Sequence, residues 1–346
     1  MQASKLRHSM AWTSLLVALY AGSVCGETIP EPSAGQRLHP ILAYISSAWN
    51  TLTRSTTDCE GVADTKLVEP PVLYLPSDMA LPGSLIAPPA NCKIHVKHLP
   101  FVIHRAGEVQ AQQIQPPGLL FLENPYVVPG GRFNEMYGWD SYFIIRGLLQ
   151  AGKLDMARGM VENFFFELEH YGAVLNANRT YYLTRSQPPF LSSMIMAVYE
   201  ADQSKGRDDH KWLATAYRYA ERDYQMWTHN PHLAGTTGLS RYCDFADGPV
   251  PEGLHDEAGY YQDVLKYFVQ QGKPSRYLVE AGTVESLPHP EYHLRLCKGK
   301  VSADDAECSA AKYVSLSPEY YKGDRSMRES GFDITFRFGP YGADTD

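Results

Sequence analysis

Fifteen consecutive residues, PGGRFNEMYGWDSYF (129–143), set three charged side chains, Arg132, Glu135 and Asp140, among five aromatic ones, Phe133, Tyr137, Trp139, Tyr142 and Phe143. A core helix has no use for so many charges, and an ordinary surface loop seldom carries so many rings. Three further stretches share the mixture: NANRTYYLTRSQPP (176–189), GLSRYCDFADGPVPEG (238–253) and MRESGFDITFRFGPYG (327–342). Each joins a guanidinium or amide to aromatic rings, and three of the four stretches add a carboxylate.

That combination suits a ligand with an apolar face and many hydroxyls, as a sugar has. Tyrosine and tryptophan rings cover the C–H face of a pyranose, while charged and amide groups hold its hydroxyls in directed hydrogen bonds. Arg132, Tyr137, Trp139 and Asp140 make one candidate wall, and Asn176, Arg185 and Gln187 a second. Glu252 and Asp333 bring carboxylates from two more loops. Chemistry at a glycosidic bond needs two carboxyl groups flanking it. Each residue also has a plainer role. Arg132 and Glu135 can form a surface ion pair, Trp139 can pack at a helix start, and Asp140 can favour the positive end of that helix. Asn176 and Asp333 can serve turns, and Gln187 and Glu252 can be solvated loop residues.

Composition narrows the alternatives. A formal net charge of −8 and the lack of any Lys/Arg run after the first ten residues exclude a nucleic-acid footprint. Neither GxSxG nor a phosphate-cradling glycine loop occurs, so no cofactor is called for. HPEYH (289–293) has two histidines four apart, but the intervening proline and the misplaced Glu291 spoil the HExxH metal pattern. Residues 1–26 resemble a cleavable signal: Lys5, Arg7 and His8, then a largely apolar run over 10–20, then Ala21, Gly22 and Ser23. The run is shorter than the roughly 20 residues of a membrane span. The expectation is therefore a secreted or periplasmic chain with no membrane contact after cleavage. Of the cysteines beyond residue 26, Cys297 and Cys308 bracket a polar loop that a bridge would close. Cys59 with Cys92 is a second pairing, which leaves Cys243 free. Asn178-Arg179-Thr180 fits the N-glycosylation pattern but lies inside a proposed ligand loop.

The elements that must position these loops are helical. Apolar residues recur at three- and four-residue spacing, as at Met156, Met160, Phe164, Phe165 and Leu168. Helices are predicted over 35–53, 139–151, 154–171, 190–203, 210–228, 256–271 and 318–328. Residues 64–116, rich in proline, are predicted to be an irregular segment wrapped on that scaffold. Helices joined alternately by short links and long polar-aromatic loops suit an all-α toroid with its site at one end.

PGGRFNEMYGWDSYF resembles, position for position, the first signature of the trehalases, glycoside hydrolase family 37: PGGRF, then E, Y, WD and Y at fixed spacing. NANRTYYLTRSQPPF resembles the next characteristic block of that family. ESGFD (329–333) resembles its ESGWD block, with Phe332 where tryptophan is usual. The resemblance runs from about Leu38 to the last residue. It implies an (α/α)6 toroid in residues 27–346, incomplete at its C-terminal end, that hydrolyses the disaccharide α,α-trehalose to two glucoses with inversion. It further implies that Arg132, Tyr137, Trp139, Asp140, Asn176, Arg185, Gln187 and Glu252 bind sugar and that Asp333 is the general acid.

Two departures qualify the resemblance. Val250 stands where arginine is common, with Arg241 as a nearby replacement. The chain also ends before the QWDxPxxW signature and the segment that carries the general base. The expectation is an inverting trehalase whose base is missing from this sequence. A sugar-binding remnant and a toroidal enzyme for another α-glucoside are the alternatives.

Overall fold

The computed structural model describes residues 34–62, 71–86, 93–251, 255–272, 275–297, 300–301 and 311–332. The expected leader, Glu252 and Asp333 lie outside them. The chain divides into residues 1–44, described only from Ala34, and a unit of residues 45–346. The boundary falls within the first helix, α1 (Ala34–Thr51). There follow β1 (Thr53–Arg54), α2 (Cys59–Val62), β2 (Val72–Leu75), α3 (Gly83–Ile86), β3 (His95–His98), β4 (Leu119–Leu120) and β5 (Tyr126–Val127). Four long helices come next: α4 (Asp140–Gln150), α5 (Leu154–His170), α6 (Leu191–Ser204) and α7 (His210–Thr228). The last described part comprises α8 (His255–Gln270), β6 (Leu278–Ala281), β7 (His293–Cys297), β8 (Lys300–Val301), β9 (Lys312–Leu316) and α9 (Pro318–Glu329).

The seven helices expected from periodicity are present, with ends within two residues of the predicted bounds. In α5 the buried residues Ala157, Met160, Val161, Phe164, Phe165 and Leu168 repeat at three and four, so one broad stripe enters the core. Against it lie α4, α6 and α7, sequential helices that pack on one another as hairpins. A half-buried arginine fixes their register. Arg158 of α5 reaches Glu162 at 3.0 Å, Asp202 of α6 at 3.3 Å and Asp209 at 2.9 Å. Asp209 also caps α7 by accepting from the Trp212 amide. Ser317 caps α9 in the same way, with Pro318 at the first helical position, where its missing N–H costs nothing.

The sheets were not legible in the helical periodicity. Within the proline-rich segment β2 is the middle strand of a parallel sheet of order β3-β2-β4, and all four of its residues, Val72 to Leu75, are buried. A continuous apolar run is what a central parallel strand requires. The expectation of a wholly irregular segment is corrected accordingly. A second sheet, antiparallel and of order β6-β9-β7-β8, packs through Leu296, Val314 and Leu316 on Tyr261, Val264 and Leu265 of α8.

Cys59 and Cys297 are disulfide-bonded, and Cys243 is a buried free thiol. Cys92 and Cys308, their expected partners, lie outside the described residues. Asn178 is fully buried, donates to the Leu120 carbonyl and accepts from the Met136 amide, so the folded chain offers no amide there for glycosylation.

Glu167, on α5, is fully buried and, among the described residues, accepts only the Leu175 amide, at 3.0 Å. Burial pushes its carboxyl well above the ordinary range. The folded chain therefore holds this proton while the unfolded chain loses it above pH 4.5, the ordinary value. Stability is lost as pH rises from there through the folded pKa. Glu167→Gln, which mimics the neutral acid, is expected to flatten the fall in denaturant midpoint between acid and neutral pH. A variant whose midpoint follows the wild-type slope would refute this account.

Candidate functional site

The opening stretch turns sharply just before α4. Gly138 is buried there, and a Cβ at this position would lie 3.0 Å from the Leu175 carbonyl and 3.1 Å from Oε1 of Gln187. The absence of a side chain lets the 129–143 and 175–187 loops meet backbone to backbone. The Gly138 amide donates to the Asn176 carbonyl at 3.1 Å, and Tyr137 bridges Ala177. The Trp139 amide donates to Oε1 of Gln187 at 2.9 Å. Tyr137 packs edge-on against Phe133, and Asp140 is the first residue of α4, at its positive end.

Asn176, Arg185 and Gln187 are all buried. The Asn176 amide donates to the Arg185 carbonyl at 2.8 Å, and its Nδ2 reaches the Ser186 carbonyl at 3.4 Å. The Arg185 guanidinium lies over the Tyr182 ring at 5.0 Å and 3.8 Å from the carboxylate of Asp244. Tyr137, Trp139, Asn176, Arg185 and Gln187 thus form one cluster. Arg132 stands apart from it, exposed, with its guanidinium 4.6 Å over Phe133.

The surface pair of Arg132 and Glu135 does not form. Glu135 is buried and ion-pairs with Arg179 at 2.8 Å, both side chains almost inaccessible. The Glu135–Arg179 pair holds the start of one loop to the middle of the other.

The third and fourth stretches meet the first two through α9. Gly331, just after α9, has φ +75°, and a Cβ there would lie 2.6 Å from Nε1 of Trp139. The Phe332 ring is 6.2 Å from the Trp139 ring. Trp139 is therefore the point where the PGGRF-type stretch, the Gln187 loop and the end of ESGF converge. Glu329, fully buried, accepts from the Ser186 amide at 3.1 Å, from the Cys243 amide, and from Nε2 of His232 at 3.0 Å. Arg325 donates to Asp244 at 2.8 Å and to the carbonyls of Gly248 and Pro249, which fixes the loop that leads to Glu252. On α8, Tyr261 donates to Asp324 at 2.7 Å and accepts from the Val250 amide. Val250 is buried against this group. Arg241, the suggested replacement for the usual arginine, is exposed, and its Nε donates to the Pro231 carbonyl.

Glu329, Asp244, Arg325 and His232 were not singled out in the sequence. Two signals pointed near them, since Glu329 opens the ESGFD block and Asp244 lies in the third polar-aromatic stretch. Periodicity gives no sign of the long-range pairs. The chemistry open to the cluster is recognition of a polyol: buried guanidinium and amide groups, held rigidly, beside an aromatic wall. Among the described residues no group of three or more His, Cys, Asp or Glu is placed to hold a metal. A cavity of about 920 Å³ beside the end of α7 is lined by His104, Arg105 and Arg222 and contains none of the candidate residues.

Because φ +75° and the indole contact both require glycine at 331, Gly331→Ala is expected to cost about 1–3 kcal/mol. A denaturant midpoint equal to wild type, with unchanged Trp139 emission, would show that this contact does not constrain the loop.

A family model described as Trehalase matches residues 91–277, more than half the chain. The cytosolic neutral trehalase of Saccharomyces cerevisiae is 36% identical over 323 residues, covering 84% of this chain and 39% of that protein. That of Kluyveromyces lactis is 41% identical over 219 residues, 62% of this chain and 25% of that protein. The solved neutral trehalase Nth1 from Saccharomyces cerevisiae superposes with a TM-score of 0.65 at 32% identity, covering 89% of this chain and 56% of that one. The chain thus spans about two fifths of the length of the first of these relatives. The likeness to Nth1 shows the (α/α)6 toroid class, with the two larger sheets as additions to the expected all-α plan. Relatives named as cytosolic correct the expectation of a signal peptide and of a secreted or periplasmic location. The matched family model, the identity to these relatives and the superposition agree that this chain belongs to the trehalase family.

Proposed function

We propose that this chain is the substrate-binding and acid-bearing part of an inverting α,α-trehalase, with residues 27–346 as one catalytic-domain segment. The observation that carries the reading is the convergence on Trp139 of three loops that match family blocks: its amide on Gln187, its indole against Gly331 and Phe332. Arg185, buried and oriented by Asp244, offers a guanidinium that loses little freedom on meeting a hydroxyl. Tyr137 and Trp139 supply ring faces. Asn176 and Gln187 supply amides, and Arg132, Asp140 and Glu252 complete the proposed sugar contacts.

Asp333, two residues beyond Gly331, is the proposed general acid. Such a group must keep its proton near neutral pH, which burial among aromatics and a nearby second carboxylate achieve. It protonates the leaving glycosidic oxygen while a second carboxylate, about 6.5–9.5 Å away on the opposite face, activates water for inversion.

Glucose release from trehalose by the protein that carries this segment tests the assignment. Asp333→Asn is expected to lower turnover by about 100-fold or more, and maltose is expected to be a far poorer substrate than trehalose. Unimpaired turnover in Asp333→Asn would overturn the acid, and equal rates on maltose would favour a broader α-glucosidase.

A further inference from the structure

Among the described residues, three nitrogens approach the carboxyl group of Glu329. The Ser186 amide approaches Oε1, while the Cys243 amide and Nε2 of His232 approach Oε2. Glu329 and His232 are both fully inaccessible to solvent. These contacts satisfy both oxygens of a side chain that has no access to water. His232 is held in place by rings, Trp227 at 4.5 Å and Phe245 at 5.2 Å. Behind it Asp223 of α7 is buried, and burial raises its carboxyl to about 7.

The donors come from two regions far apart in sequence, Ser186 in one and His232 with Cys243 in the other. Ser186 lies between Arg185 and Gln187, so its amide sets the height of the second sugar wall. Cys243 precedes Asp244, which faces both Arg185 and Arg325. His232 ends the link from α7. Glu329 itself is the last residue of α9, two before Gly331 and four before Asp333. One side chain therefore joins the segment that bears the acid to both loops that orient the sugar.

We propose that Glu329, held by His232, is a positioning residue that registers the Arg185–Gln187 and Cys243–Asp244 loops against the segment leading to Asp333. Fully buried, it acts by keeping donors and acid within the narrow geometry that the reaction tolerates. A misplacement of about 1 Å costs on the order of 100-fold in rate. The kinetic arm of this inference rests on the trehalase reading, and its structural arm does not.

Two variants of His232 in the full chain separate the possibilities. His232→Gln keeps an N–H at the Nε2 position, whereas His232→Leu removes it at similar bulk. His232→Leu is expected to lower kcat for trehalose by about 10–100-fold, with KM within about threefold. His232→Gln should restore most of the loss. Amide hydrogen exchange is measured on the same proteins. Protection at Ser186 and Cys243 should fall in His232→Leu and return in His232→Gln, with α5 amides unchanged in both. Equal behaviour of the two variants, or a rise in KM with kcat preserved, would overturn the positioning role. So would unchanged protection at Ser186 and Cys243. If the wild-type chain neither binds nor cleaves trehalose, the trehalase reading fails, and the exchange pattern alone decides the role of Glu329. Glu329→Gln, which puts an amide N–H among three donors, is expected to show a larger loss of protection than His232→Leu.

Discussion

The buried carboxylate of Glu329 is the constraint on which the arrangement of the candidate site depends. Amides of two loops and an imidazole from a third segment all donate to it, so none can shift alone without leaving an unmet donor in a dry interior. An unsatisfied buried group costs more than a made hydrogen bond gains, and this asymmetry makes such a node directive. Its effect spreads outward through Asp244 and Arg325. Those two pin the loop toward Val250, and Val250 is tied in turn to Tyr261 of α8.

A second level of constraint comes from backbone close approach. At Gly138 and Gly331 a side chain would push loops apart, and each faces a partner on another segment. Trp139 sits between them, with its amide turned to Gln187 and its indole to Gly331. The same residue has the packing role that its sequence context suggested. Dense packing beneath is what makes a binding surface precise. The helices α4 to α7, locked by Arg158 across three of them, hold the loop ends apart at fixed distances.

The helical frame was legible because its signal is local. Ala157, Met160, Val161, Phe164, Phe165 and Leu168 mark one face of α5 without reference to anything distant. The β2–β3–β4 sheet was hidden for the opposite reason. Its central strand is buried on both faces and so shows no alternation, and its partners lie tens of residues away, among prolines. The antiparallel sheet escaped notice because its short strands are interrupted by polar loops. A leader was read from the apolar start of the chain, which cytosolic relatives do not support.

By itself the sequence determined the helices, the identity of the polar-aromatic stretches and, through PGGRFNEMYGWDSYF, the family to which they belong. Those properties are carried by contiguous residues, where spacing and type suffice. Tertiary structure alone decided which charges meet. Glu135 pairs with Arg179 rather than with its neighbour Arg132. Arg325 takes Asp244, and Glu329 takes His232 from 97 positions away. Buried ion pairs form where burial removes water as a competing partner, and which groups share that dry space follows from helix packing and glycine contacts rather than from distance along the chain.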